Sequence, residues 1–113
     1  MAEDKHAEYL AKVQKYDADA NADTVRKIAN KLGIALQNRD SSLVSCSDTS
    51  ELERIRDGFA KKTLGLDAGH SDDQIMAAIN EVCVMMAGDG SNKHRVPFYY
   101  LLAKSTNTLG KIG

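Results

Sequence analysis

What this sequence has little of is informative. Its formal net charge is only -1, so no broad field steers it toward nucleic acid or an anionic membrane surface. It has no apolar run near the ~20 residues needed to cross a bilayer as a helix. Its first residues, Met1-Ala2-Glu3-Asp4-Lys5, are charged and do not read as a secretory leader. Alternation of period two, the mark of a half-buried strand, is absent throughout. There are two cysteines, Cys46 and Cys83, without CxxC spacing. They read as two reduced, packed thiols of a cytoplasmic protein. There is one proline, Pro97, and it falls inside the densest cluster of large apolar side chains.

What is present is helical periodicity. Hydrophobic residues make up 42% of the 113-residue chain, enough for one packed core without metals or disulfides. Residues 3–16 place Tyr9, Leu10, Val13 and Tyr16 on one stripe. Residues 24–38 do the same with Val25, Ile28, Leu32 and Leu36, and Asp23 is the expected N-cap. Gly33 interrupts that pattern and marks either a close helix approach or an early end. Residues 38–48 read as a polar connector, with a short helical turn pinned by Leu43, Val44 and Cys46. Asp48 or Ser50, each with a glutamate three residues on, is placed to start a third helix through a capping box. Leu52, Ile55 and Phe59 are its core stripe, and Gly65 is its left-handed stop. Ser71-Asp72-Asp73-Gln74 opens a fourth helix with a second capping box. Its wide apolar face is Ile75, Met76, Ile79, Val82, Cys83 and Met86.

The last helix is expected over about Pro97–Lys104. A proline cannot donate to a central ladder but suits the first turn of a helix. The run Val96-Pro97-Phe98-Tyr99-Tyr100-Leu101-Leu102-Ala103 is apolar on nearly every side, which predicts burial on most faces. Residues 105–113 are expected to fray, as are 1–2. The fold class is all-α, a single compact domain over 1–113 with four to five helices.

Motifs for chemistry are sparse. Asp17, Asp19, Asn21 and Asp23 resemble the first half of a calcium loop. Ala22 replaces the turn glycine and Ile28 the bidentate glutamate, so interhelical capping is the better reading and no metal is expected. His6, His70, His94, Cys46 and Cys83 lack metal-ligand spacing. Gly88–Lys93 follows a helix and lacks the ending of a phosphate loop. No cofactor is expected, and no catalytic residue can be named, so the chain leans away from being an enzyme. Lys93, His94 and Arg95 oppose the dipole of the last helix, a conflict that a bound anion would relieve.

Two blocks carry a family resemblance: Asp40–Glu53 with Lys61–Leu66, and Asn92–Lys104. Together they resemble a family of small bacterial proteins described only as a domain of unknown function. The resemblance implies a compact, all-helical single domain and brings no catalytic residue, cofactor or substrate. The leading functional expectation is a cytoplasmic protein-interaction or regulatory module, with Lys93, His94, Arg95, Tyr99 and Tyr100 as its partner surface. The alternative is a binder of a small anionic ligand, conceivably an enzyme, using Lys93, His94 and Arg95. Nucleic acid and membrane are not expected partners. A homodimer is expected if the tyrosine face is left uncovered within one chain.

Overall fold

Eight consecutive side chains, Val96 to Ala103, are all buried in one helix, and the other helices are arranged around it. The computed structural model describes residues 5–32, 43–89 and 93–111. Within them lie α1 (Lys5–Gln14), α2 (Ala22–Leu32), α3 (Thr49–Ile55), α4 (Asp72–Met85) and α5 (Arg95–Ser105). α5 packs against α1, α2 and α4, and α1 packs against α2. The architecture is an all-α single domain. No helix among the described residues is long and apolar enough to cross a membrane.

The core follows from the stripes. Val13 of α1, Val25, Ile28 and Ala29 of α2, Leu52 and Ile55 of α3, and Ile75, Ile79 and Val82 of α4 are buried around Phe98 and Leu102. Each of these side chains larger than alanine contributes roughly 1.5–3 kcal/mol through removal from water. α5 begins at Arg95, two residues before the expected start. Pro97 still fits, because the first four N–H groups of a helix have no intrahelical acceptor. The first N–H in the helix to find one is that of Phe98, which donates to the His94 carbonyl at 3.1 Å.

The caps are partly as expected. Ser71 and Gln74 form a full reciprocal capping box at the start of α4. The Asp48 carboxylate caps α3 by accepting from the Ser50 and Glu51 amides. Glu51 does not complete that box, because its carboxylate is bound by arginines. At α2 the cap is Asn21, whose side-chain oxygen accepts from the amides of Asp23 (2.8 Å) and Thr24 (3.2 Å). Asp23 instead lies in the first turn, where its charge favours the helix dipole. Residues 33–42, with Gly33, Ala35, Leu36 and the first half of the expected connector, lie outside the described residues. The second half of the connector is not a helical turn. Leu43 forms an isolated antiparallel bridge with His94, and the Val44 amide donates to the Lys93 carbonyl at 2.8 Å.

Beyond Ile55 the third helix changes its winding. Arg56–Thr63 is a π-helix, closed by the Leu64 amide donating to the Phe59 carbonyl. The reason is in the spacing of its buried residues, Ile55, Phe59, Ala60 and Leu64. At about 3.6 residues per turn, Leu64 would lie on the opposite side from Ile55. At about 4.4 residues per turn, with i→i+5 bonds, it returns to the same face. Gly65, in the left-handed conformation at φ 67°, then ends the segment, and Leu66 is buried behind it.

After α5, where fraying is expected, the chain closes in a Schellman turn. Asn107 adopts the left-handed conformation. Its amide donates to the Lys104 carbonyl and that of Thr108 to the Ala103 carbonyl, at 3.1 and 2.7 Å. The Thr106 hydroxyl donates to the Leu102 carbonyl at 2.8 Å, so the Leu102, Ala103 and Lys104 carbonyls at the end of the helix are satisfied.

Candidate functional site

The residues singled out from sequence are not brought together as one open face. Tyr99 and Tyr100 are buried in the core, within a single chain. The condition on which a homodimer is expected, an uncovered tyrosine face, is therefore not met. Lys93, His94 and Arg95 are half-buried. The backbone of Lys93 and His94 pairs with Leu43 and Val44.

Arg95 is the centre of the first polar cluster. Its guanidinium donates to the Tyr99 hydroxyl at 3.1 Å and to the Leu43 carbonyl at 3.0 Å, and pairs with the Glu51 carboxylate. It also lies 5.7 Å from the centre of the Tyr99 ring, within the range of a cation–π contact. Phe59 stacks on Tyr99 at 4.0 Å between ring centres. One side chain thus ties the start of α5 to the connector, to α3 and, through Tyr99, to the π segment. Burial pushes the Tyr99 hydroxyl above its ordinary pKa, although the arginine opposes this.

A second polar cluster sits at the other end of α5. Asp17, in the α1–α2 connector, accepts from Lys104 at 2.9 Å, from the Tyr100 hydroxyl at 3.1 Å and from the Asp19 amide at 3.1 Å. The hydrogen bond from Lys104, assisted by those of the Asp19 amide and Tyr100, holds Asp17 below the usual carboxylate range against partial desolvation. Burial first, and then its hydrogen bond to Asp17, pushes Tyr100 up. The segment that resembles half a calcium loop thus spends its leading carboxylate on α5. Among the described residues no three of His, Cys, Asp and Glu are grouped so as to hold a metal ion. His70 lies 3.2 Å from the Leu66 carbonyl through Nδ1.

The cysteines overturn their sequence reading. Cys46 and Cys83 are joined in a disulfide, with Cα atoms 6.0 Å apart, within the ordinary span for such a bridge. The reason is tertiary. The turn after Val44 is brought against the last turns of α4, and both cysteines fall at the edge of the core. Nothing in two isolated cysteines at a sequence separation of 37 could have announced this.

Sequence reasoning also missed Glu51 and Asp17, the partners of the α5 residues, and the part of Lys104, which shares Asp17 with Tyr100. Glu51 carried a signal, as a glutamate at the capping-box position. The arginine that diverts it is 44 residues away in sequence.

One surface feature remains. Among the described residues, the large hydrophobic side chains left exposed are Val84 (75%) and Met85 (45%), adjacent in the last turn of α4. They continue an outer face that includes Ala77, Asn80 and Glu81, all exposed.

No curated protein matches the sequence. The model of one protein family, described as a protein of unknown function (DUF2853), matches residues 8–110. That span takes in all five helices except the first turn of α1, together with both polar clusters, and on its strength the chain belongs to the DUF2853 family.

Proposed function

We propose that the protein is a cytoplasmic, non-catalytic interaction module that binds a partner protein through the outer face of α4. The observation that carries this reading is the exposed pair Val84 and Met85. Two adjacent large apolar side chains left in water at a helix end are suited to a complementary apolar pocket, with methionine adapting to its shape. The cationic and aromatic residues of α5 support the reading differently from the sequence expectation. They hold α5 in place, and α4 is packed against α5, so they fix the scaffold on which the α4 face is presented.

The test is affinity capture with the intact protein, identification of the captured protein, and reconstitution of the pair from purified components. Val84→Glu with Met85→Glu should weaken the reconstituted complex by about tenfold or more while leaving the melting temperature nearly unchanged. Undiminished affinity in the double variant would exclude this face. Fractionation of cells of the source organism tests the cytoplasmic placement.

A further inference from the structure

The Cys46–Cys83 bridge sits at a junction where little else joins the two elements it spans. The Leu43–Asp48 segment makes its hydrogen bonds to Lys93 and Arg95 and within itself and α3. Among the described residues no hydrogen bond or ion pair joins it to α4. Apart from the apolar packing of Val44 in the shared core, the disulfide is its tie to that helix among the described residues. Neither cysteine belongs to the fully buried core; both are half-buried at its margin. Both cysteines keep part of their surface in water, and the turn that carries Cys46 is flanked by exposed Ser45 and Ser47. Two residues past Cys46, Asp48 caps α3, and Glu51 in the first turn of that helix pairs with Arg95.

We propose that Cys46–Cys83 is a reversible redox lock on the start of α3, opened and closed by a small-molecule thiol–disulfide couple. In opening, a thiolate such as that of glutathione attacks one sulfur and the other leaves as a thiolate. A second thiolate then attacks the mixed disulfide and releases the first cysteine. Two electrons and two protons end on Cys46 and Cys83, and one molecule of glutathione disulfide is formed. Closing is the reverse, with glutathione disulfide as the oxidant. The core does not contain the bridge, so the helices persist in the reduced form. What changes is local: the Ser45–Asp48 turn is released from α4, and the cap and first turn of α3 loosen with it. Val44 stays paired to Lys93, just before α5, and Leu43 to Arg95 at its start. This inference needs no partner protein, so it stands or falls apart from the α4 reading.

The test equilibrates the intact protein, without denaturant, in glutathione mixtures from oxidising to reducing. Thiols are counted by mass-tagged alkylation, helix content is followed by circular dichroism and local opening by hydrogen exchange. The expected result is full, reversible interconversion at constant helix content. Amides from Cys46 to Leu52 exchange about tenfold faster or more in the reduced protein, while those of Phe98–Leu102 are unchanged. The Cys46→Ser/Cys83→Ser variant should show the reduced pattern in every mixture. A bridge that glutathione cannot reduce until the protein is denatured would overturn the proposal. Loss of helix on reduction, failure of the double variant to fold, or identical exchange in the two forms would overturn it equally.

Discussion

The two ends of α5 carry the same parts in opposite senses. Each has a tyrosine from the centre of the helix, a cation on the helix and a carboxylate from another element. At the N-terminal end the cation is the hub, and Arg95 donates to tyrosine, carbonyl and carboxylate. At the C-terminal end the carboxylate is the hub, and Asp17 accepts from lysine, tyrosine and an amide. They differ most in exposure. The difference lies in the cation: Arg95 and Glu51 are 12% and 14% exposed, whereas Lys104 is 49% exposed although its partner Asp17 is only 10% exposed. The planar guanidinium can serve three acceptors from a fixed position, while the ammonium is a hydrated point charge on a flexible stem. Equal numbers of contacts therefore do not mean equal worth. The first cluster is a fixed junction, and the second is a shielded carboxylate held by a solvated clasp, Lys104.

The comparison can be broken at its middle. Phe98 belongs to neither cluster and is fully buried, so Phe98→Ala should cost about 3–5 kcal/mol through lost transfer energy and a cavity. Denaturant unfolding measures this, and it sets the scale for the ends. Next is Arg95→Met, which keeps much of the stem but leaves Glu51 half-buried without its main partner. A loss of about 2–4 kcal/mol is expected, largely recovered when Glu51→Leu is added, a coupling read by a double-mutant cycle. A loss no greater than that of Lys104→Ala would erase the distinction between junction and clasp.

Alkaline pH probes both tyrosines at once. Their pKa values are raised in the folded chain, and an unfolded tyrosine ionises near about 10. The unfolded state therefore loses its protons first. Stability should be intact below about pH 10 and fall as pH rises beyond it, with tyrosinate absorbance appearing together with unfolding. The smallest effects belong to the surface. Lys104→Ala should shift the melting temperature only slightly, and less still in high salt. On the acid side, hydrogen bonds from Arg56 and Lys61 lower Asp57 to about 2, and Asp17 is lowered by Lys104. Unfolded carboxyls bind protons first, so this contribution is complete above about pH 4 and fades toward pH 2. Acid titration of melting temperature, with Asp57→Asn as comparison, isolates it.

The sequence carried the helices well and their junctions poorly. The α4 stripe and capping box, the stop at Gly65 and the all-round burial of α5 depend on residues within a turn or two of each other. They could be read directly. The two clusters join residues 44 and 83 positions apart, and neither partner looks unusual in its own segment. The burial of the aromatic run of α5 was legible, but not which elements enclose its two tyrosines. Its tyrosines suited an interface equally well until α1, α2 and α4 were placed around them. The cysteine pairing is of the same kind. By contrast, the π segment is written locally: Ile55, Phe59, Ala60 and Leu64 fall at i, i+4, i+5 and i+9, an interval one residue longer than an α-helical stripe.

That interval means the third helix is an ordinary helix with one residue too many. Take one position out between Ile55 and Phe59, and the buried residues fall at i, i+3, i+4 and i+8, the stripe of an α-helix. Gly58 is the natural position to lose, since no side chain there supports anything and nothing lies within 4 Å of where a Cβ would be. A chain lacking it should wind Arg56–Thr63 as α-helix and keep the same core. In this stretch, length can vary by one residue while the pattern of burial stays fixed.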